Sequence, residues 1–117
     1  MPTELLKVST IRSVNVVELL LPDHLDSSEF DRLNEGLATV FADQPNGRWI
    51  LDLAEVRYMG SAALGLMVNI RHRVKSMNGR LALCHMSNPL HQIFKACCLE
   101  RLFTITRTRE DALKAMR

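Results

Sequence analysis

The stretch Tyr58-Met59-Gly60-Ser61-Ala62-Ala63-Leu64-Gly65-Leu66 decides how the rest of the chain is read. Before it, Arg48-Trp49-Ile50-Leu51-Asp52-Leu53 has the aromatic, β-branched and continuously apolar character of a buried strand. After it, apolar residues return every three or four positions from Ala62 to Met77, which predicts a helix. Ser61 then reads as the helix N-cap, its hydroxyl accepting a hydrogen bond from a first-turn amide. Ala62, Ala63 and Gly65 leave that helix end nearly bare of side chain, open to close approach by a phosphate or another protein.

Upstream, Leu5 to Ile11 and Val14 to Leu21 are two β-rich stretches separated by Arg12-Ser13, a hairpin without the glycine or asparagine usual at such turns. Pro22-Asp23-His24 breaks the second strand, and Asp26 with Glu29 has the form of a capping box opening a helix. Phe30, Leu33, Leu37, Val40 and Phe41 form its apolar face, and Gln44-Pro45-Asn46-Gly47 ends it. Strand Arg48 to Leu53 lacks in-out alternation, so it is placed at the centre of the sheet, covered on both faces.

Downstream, the helix from Ala62 turns Ala63, Leu66, Met67, Ile70, Val74 and Met77 inward and Ala62, Gly65, Asn69, His72, Arg73 and Ser76 outward. Asn78-Gly79 stops it, with Gly79 suited to a left-handed conformation. Arg80 to His85 reads as a fourth strand. Asn88 as N-cap and Pro89 at the first helical position open a helix through Cys98, and Leu102 to Ile105 reads as a fifth strand. Thr108 and Asp111 form a second capping box for a final helix to about Met116. The fold class is thus α/β: one domain over residues 1–117, a mixed sheet of about five strands with four helices, in the order β-β-α-β-α-β-α-β-α.

At 117 residues and a formal charge of +2, the chain is long enough for a core of its own and carries no strong electrostatic signature. Arg71, Arg73 and Lys75 read as a solvated helix face rather than a nucleic-acid stripe, which would be continuous and interleaved with aromatics. No apolar run is long enough to span a membrane, and Met1 to Lys7 lacks the plan of a signal peptide, so a soluble cytoplasmic protein with reduced thiols is expected. Gly60-Ser61 lacks the second glycine of a nucleophile elbow, and no phosphate loop or zinc-protease motif occurs, so no enzyme is read. His85, His91, Cys84, Cys97 and Cys98 read as core positions rather than metal ligands; neither metal nor cofactor is expected. Asp52, polar at the end of an apolar run, reads either as a satisfied strand-end hydrogen bond or as a site residue beside the Ser61 loop.

The segment Ile50-Leu51-Asp52-Leu53-Ala54-Glu55-Val56-Arg57-Tyr58-Met59-Gly60-Ser61-Ala62-Ala63-Leu64-Gly65-Leu66 resembles the signature of bacterial anti-sigma factor antagonists, the STAS domain. The likeness continues through Asn78 to Cys84, Ile93-Phe94, Leu99 to Phe103 and Glu110 to Leu113. It implies a small cytoplasmic switch protein that binds an anti-sigma factor, a serine kinase, and is phosphorylated by it at the first serine of an Asp-Ser-Ser-Gly loop. Ser61 matches that serine, whereas Gly60 stands for the aspartate, Ala62 for the second serine and Ala63 for the glycine. The partner surface so implied comprises Asp23, His24, Asp52, Gly60, Ala62, Gly65, Asn69 and His72. An unphosphorylated scaffold subunit of a stress-signalling or of a lipid or anion transport assembly is the alternative. Central placement of Arg48 to Leu53 predicts that its amides and those of Arg80 to Cys84 exchange most slowly with solvent deuterium; fast exchange throughout Arg48 to Leu53 would contradict it.

Overall fold

A computed structural model describes residues 5–42 and 44–117; the opening residues 1–4, read above for a leader, and Asp43 lie outside it. The elements are β1 (Leu6–Ile11), β2 (Val14–Leu19), α1 (Ser27–Phe41), β3 (Arg48–Asp52), α2 (Ser61–Ser76), β4 (Arg80–Cys84), α3 (Asn88–Ala96), β5 (Thr104–Ile105) and α4 (Arg109–Ala115). The sheet order is β1-β2-β3-β4-β5, antiparallel between β1 and β2 and parallel thereafter. The order read from the sequence is the order found.

Arg12 and Ser13 close the hairpin with φ of 52° and 66°. Two consecutive left-handed residues make the turn whose twist matches a two-residue hairpin, here without glycine. Asp26 accepts from the Glu29 amide at 2.7 Å while the Glu29 carboxylate accepts from the Asp26 amide at 3.1 Å, so the α1 capping box is complete. Thr108 accepts from the Asp111 amide at 3.1 Å, the forward half of a box at the start of α4.

The side chains of β3 alternate between two buried layers. Trp49 and Leu51 join the α1, α2 and α3 faces, with Leu33, Leu37, Phe41, Leu66, Met67, Ile70, Leu90 and Phe94. Ile50 joins a smaller cluster with Val14, Val16, Ala82 and Cys84 under Ala112 and Leu113 of α4 and Met116 just after it. Three helices therefore cover one face and one short helix the other, which makes β3 buried on both sides and its run of apolar residues continuous. The Phe41 and Trp49 rings meet edge-on at 4.3 Å between centroids and tie the end of α1 to the start of β3.

Several local expectations are corrected. Gly60, not Ser61, is the α2 N-cap, extended at φ −79° and ψ 179°, and Ser61 is the first helical residue. Glycine has no side-chain oxygen to mark the cap, so the first serine inside the helix took its place in the sequence pattern. Ser87, one residue before the expected Asn88, caps α3 by accepting from the Leu90 amide at 3.2 Å. Leu102 closes a 3₁₀ turn (Glu100–Leu102) rather than opening β5, which starts at Thr104, and Cys97 and Cys98 beyond the end of α3, like His85 beyond β4, are exposed rather than in the core. Asn78, at φ 58°, is the left-handed residue after α2.

Gly79 is required for a different reason. A Cβ there would lie 2.8 Å from the Gly47 carbonyl oxygen and 2.8 Å from Val74 Cγ1. The Arg80 amide donates to that same Gly47 carbonyl at 2.9 Å, so the loops before β3 and β4 are locked together at this point. Gly79→Ala should cost roughly 1–3 kcal/mol of stability by overpacking, measured by chemical denaturation, whereas Asn78→Gly should be neutral or stabilising because the left-handed backbone accepts glycine freely.

Candidate functional site

The loop Leu53 to Gly60 leaves the carboxyl end of β3 and delivers α2 with its amino end outward. Val56 and Met59 are buried and anchor the loop, while Tyr58 is 51% exposed. Opposite it, the connection from β2 to α1 brings Pro22, Asp23, His24 and Leu25 alongside, and the two segments enclose a groove of about 490 Å³. Ser61 and Ala62 are exposed at its rim, and Phe30 and Met59 contribute apolar wall. Asp23 and Arg57 pair across the two loops at 3.1 Å, at exposures that make the pair a weak tether.

Of the residues assigned to a partner surface, Asp23, His24, Gly60 and Ala62 line this groove with Ser61. Gly65, Asn69 and His72 continue from it along the exposed stripe of α2, three or four residues apart. A Cβ at Gly65 would meet nothing within 4 Å, so the glycine leaves a flat place on that stripe rather than serving the fold. The Ser61 hydroxyl caps nothing. With glycine at the cap, the first-turn amides of α2 receive no side-chain acceptor, and the first intrahelical bond is Leu64 N–H to the Gly60 carbonyl at 3.0 Å.

Asp52 lies elsewhere. Its side chain points to the α4 face of the sheet, 3% exposed, away from the Ser61 groove. The Arg109 guanidinium donates to Oδ2 at 2.8 and 3.2 Å, the Ala54 amide donates to Oδ1 at 3.0 Å, and His85 Nδ1 lies 3.1 Å from Oδ1. Arg109 also reaches Glu18 at 3.2 Å. Of the two readings of Asp52, the satisfied strand-end hydrogen bond is the one its geometry supports. The sequence pattern missed Arg109 and Glu18: a carboxylate in an apolar run calls for a buried cation, but nothing selects one among 15 lysines and arginines.

Burial would raise the Asp52 carboxyl, but the Ala54 amide, Arg109 and His85 together outweigh it and hold the group below its ordinary value of 3.8. Beneath it, burial and the neighbouring Asp52 charge push the Cys84 thiol up to about 12. The cluster pins α4 to the sheet and contains no nucleophile ready to react.

Ser61 thus stands exposed on a bare helix end beside a shallow groove. The STAS domain family model matches residues 7–112, and the chain belongs to that family, whose antagonist members are switch proteins rather than enzymes. It is 25% identical over 93 residues to BtrV of Bordetella bronchiseptica, a protein its name places provisionally among anti-sigma factor antagonists; the alignment covers 80% of this chain and 79% of BtrV. An anti-sigma-factor antagonist domain from Planctomyces limnophilus shares the fold at a TM-score of 0.82 and 22% identity, over 95% of this chain and 97% of its own. The Bacillus cell fate determinant SpoIIAA, solved in a phosphorylated form, does so at a TM-score of 0.66 and 18% identity, over 96% and 99%. No helix among the described residues is long and apolar enough to cross a membrane.

Replacing Arg109 by Met should cost about 3 kcal/mol at neutral pH, because it leaves Asp52 buried without its cation. The same linkage sets a pH dependence. A carboxyl whose folded value is depressed adds stability that is fully present above its unfolded value and is lost as pH falls through the folded one. Urea denaturation of wild type and Asp52→Asn from pH 7 to pH 2 should therefore show a gap that is constant above about pH 4 and closes below the ordinary carboxyl value of 3.8. A gap that persists unchanged at pH 2 would contradict the depressed carboxyl.

Proposed function

We propose that this domain is a protein-interaction switch of the anti-sigma factor antagonist type, which binds an anti-sigma factor kinase and is regulated by phosphorylation of Ser61. The observation that carries the proposal is the state of Ser61: exposed, first in a 16-residue helix, hydroxyl uncommitted, at the rim of the groove. A kinase can reach such a hydroxyl without unfolding anything.

The physical consequence falls on the partner more than on the domain. A phosphoserine at the first helical position carries about −1.5 to −2 charges and sits where the helix dipole is positive and the amides lack a side-chain cap, so the fold tolerates it. A partner packed over Ala62, Gly65 and Asn69 would have to accommodate a dianion at the edge of its contact, and about 3 kcal/mol lowers affinity by a factor above a hundred. Asp23, Asp26 and Asp31 line the same groove, so the added charge enters a region already acidic and turns a mild bias into a strong one.

The second reading is an unphosphorylated scaffold, as in stress-signalling or transport assemblies. Gly60 and Ala62 favour it, because the hydroxyl then has no adjacent carboxylate or second hydroxyl to help a kinase orient it. Two substitutions separate the readings. Since Ser61 caps nothing, Ser61→Ala should change stability by less than about 0.5 kcal/mol, and Ser61→Asp should add a few tenths through the dipole. Under the switch, Ser61→Asp weakens binding to the anti-sigma kinase at least tenfold while Ser61→Ala does not. Incubating wild type with that kinase and ATP adds one phosphate, located at Ser61 by mass spectrometry. Equal binding by both variants with no phosphate on wild type would move the conclusion to the scaffold.

A further inference from the structure

The Asp52 cluster holds more donor chemistry than an α4 anchor needs. Successive side chains on a strand point to opposite faces, so Cys84 and His85 would ordinarily part company. They do not, because His85, the residue after β4, has φ of 57°, the left-handed conformation that histidine adopts more readily than most non-glycine residues. The turn brings its Nδ1 to 4.0 Å from Cys84 Sγ and 3.1 Å from Asp52 Oδ1. One donor atom from each of Asp52, Cys84 and His85 therefore lies within 4.8 Å of the other two.

We propose that Asp52, Cys84 and His85 form a three-ligand site for a divalent transition cation of the zinc class. Thiolate, imidazole and carboxylate are the donor set such ions prefer, and a fourth position left to water is usual when the protein supplies three. Tetrahedral bonds to zinc place N and O donors about 3.3 Å apart and S and N donors about 3.6 Å apart. The N and O donors, 3.1 Å apart, are close to that separation, and the 4.0 Å between Sγ and Nδ1 exceeds it by a few tenths of an ångström; closing the site draws the sulfur toward both other donors. Magnesium and calcium, which require oxygen donors, do not fit.

The charges close as well. With the thiol and imidazole neutral, Asp52 and Glu18 against Arg109 leave the cluster one negative charge, with no further cation bonded to it among the described residues. A dication that binds sulfur releases the thiol proton to solvent, which brings the cluster to neutrality. Arg109 does not occupy the metal position: both of its bonds go to Oδ2, whereas the site uses Oδ1. The His85 side chain, 39% exposed, opens the cluster to solvent, while Asp52 at 3% and Cys84 at 0% form its floor. The fold does not depend on the ion, since Arg109 and the Ala54 amide already satisfy Asp52.

Cobalt(II) is the probe, used on the full chain with Cys97→Ser and Cys98→Ser so that the two exposed thiols cannot contribute. One equivalent should bind with a thiolate-to-cobalt charge-transfer band, and zinc should displace it. His85→Ala, which removes a half-exposed ring and should lower melting only modestly through the lost Asp52 contact and the left-handed backbone, should weaken binding at least tenfold in the still-folded protein; Cys84→Ser should abolish the band. If Cys84→Ser unfolds, the His85→Ala result decides alone. Absence of the band in the double-serine protein, equal affinity in His85→Ala, or displacement by magnesium as readily as by zinc would each overturn the site.

Discussion

Everything in this domain is hung from the two-sided burial of β3. A parallel strand flanked by parallel strands cannot be closed by a hairpin, so each neighbour is reached through a helix, and those helices must lie on a face of the sheet. Here α1, α2 and α3 share one face and pack on Trp49 and Leu51, which leaves Ile50 and Asp52 on the other. A single short helix, α4, covers that second face. Its apolar contribution is only Ala112, Leu113 and Met116, and this is why it is also held by charge, through Arg109 at its start and by Arg48 and Arg80 donating to the Met116 and Ala115 carbonyls at its end.

The two faces put two different chemistries at the same end of the sheet. On the α1 and α2 face, the loops after β2 and β3 form a shallow groove with Ser61 at its rim; on the α4 face, the ends of β3 and β4 place a carboxylate, a thiol and an imidazole together. Alternation along β3 makes the difference. Had Asp52 been one residue earlier or later it would have entered the large apolar layer, where no cation stands. Both chemistries lie at strand carboxyl ends, where open parallel sheets gather loops from different parts of the chain.

The Ser61 face is suited to reversible binding because it contributes little to stability. Gly60 gives no cap, Gly65 supports no packing, and the outward stripe through Asn69 and His72 touches solvent. A surface of this kind can gain a phosphate or a partner without altering the core. Gly60, Ala62 and Ala63 keep the loop around Ser61 free of polar side chains, so any partner of the proposed kind would be held by the groove and the α2 stripe more than by the loop itself.

Strand and helix order, the capping box of α1, the inward face of α2 and the central position of β3 were all legible in the sequence, because hydrophobic period and cap chemistry are local and each element states them for itself. So was the likeness carried by Ile50 to Leu66. The helix starts were read a residue late at Ser61 and Asn88: a cap is defined by where extended backbone ends, and a glycine or an extra polar residue beside it hides that point. Cys97 and Cys98 were misplaced because an apolar residue past a helix end has no period to assign it a side. What only the tertiary structure decided was the company that distant residues keep. Arg109, 57 positions from Asp52, is its partner because α4 folds back over β3, and His85 joins Cys84 because the chain turns left-handed there. Long-range pairing of charges leaves no periodic trace, so the sequence could mark Asp52 as a polar residue ending an apolar run but not name Arg109 as its partner.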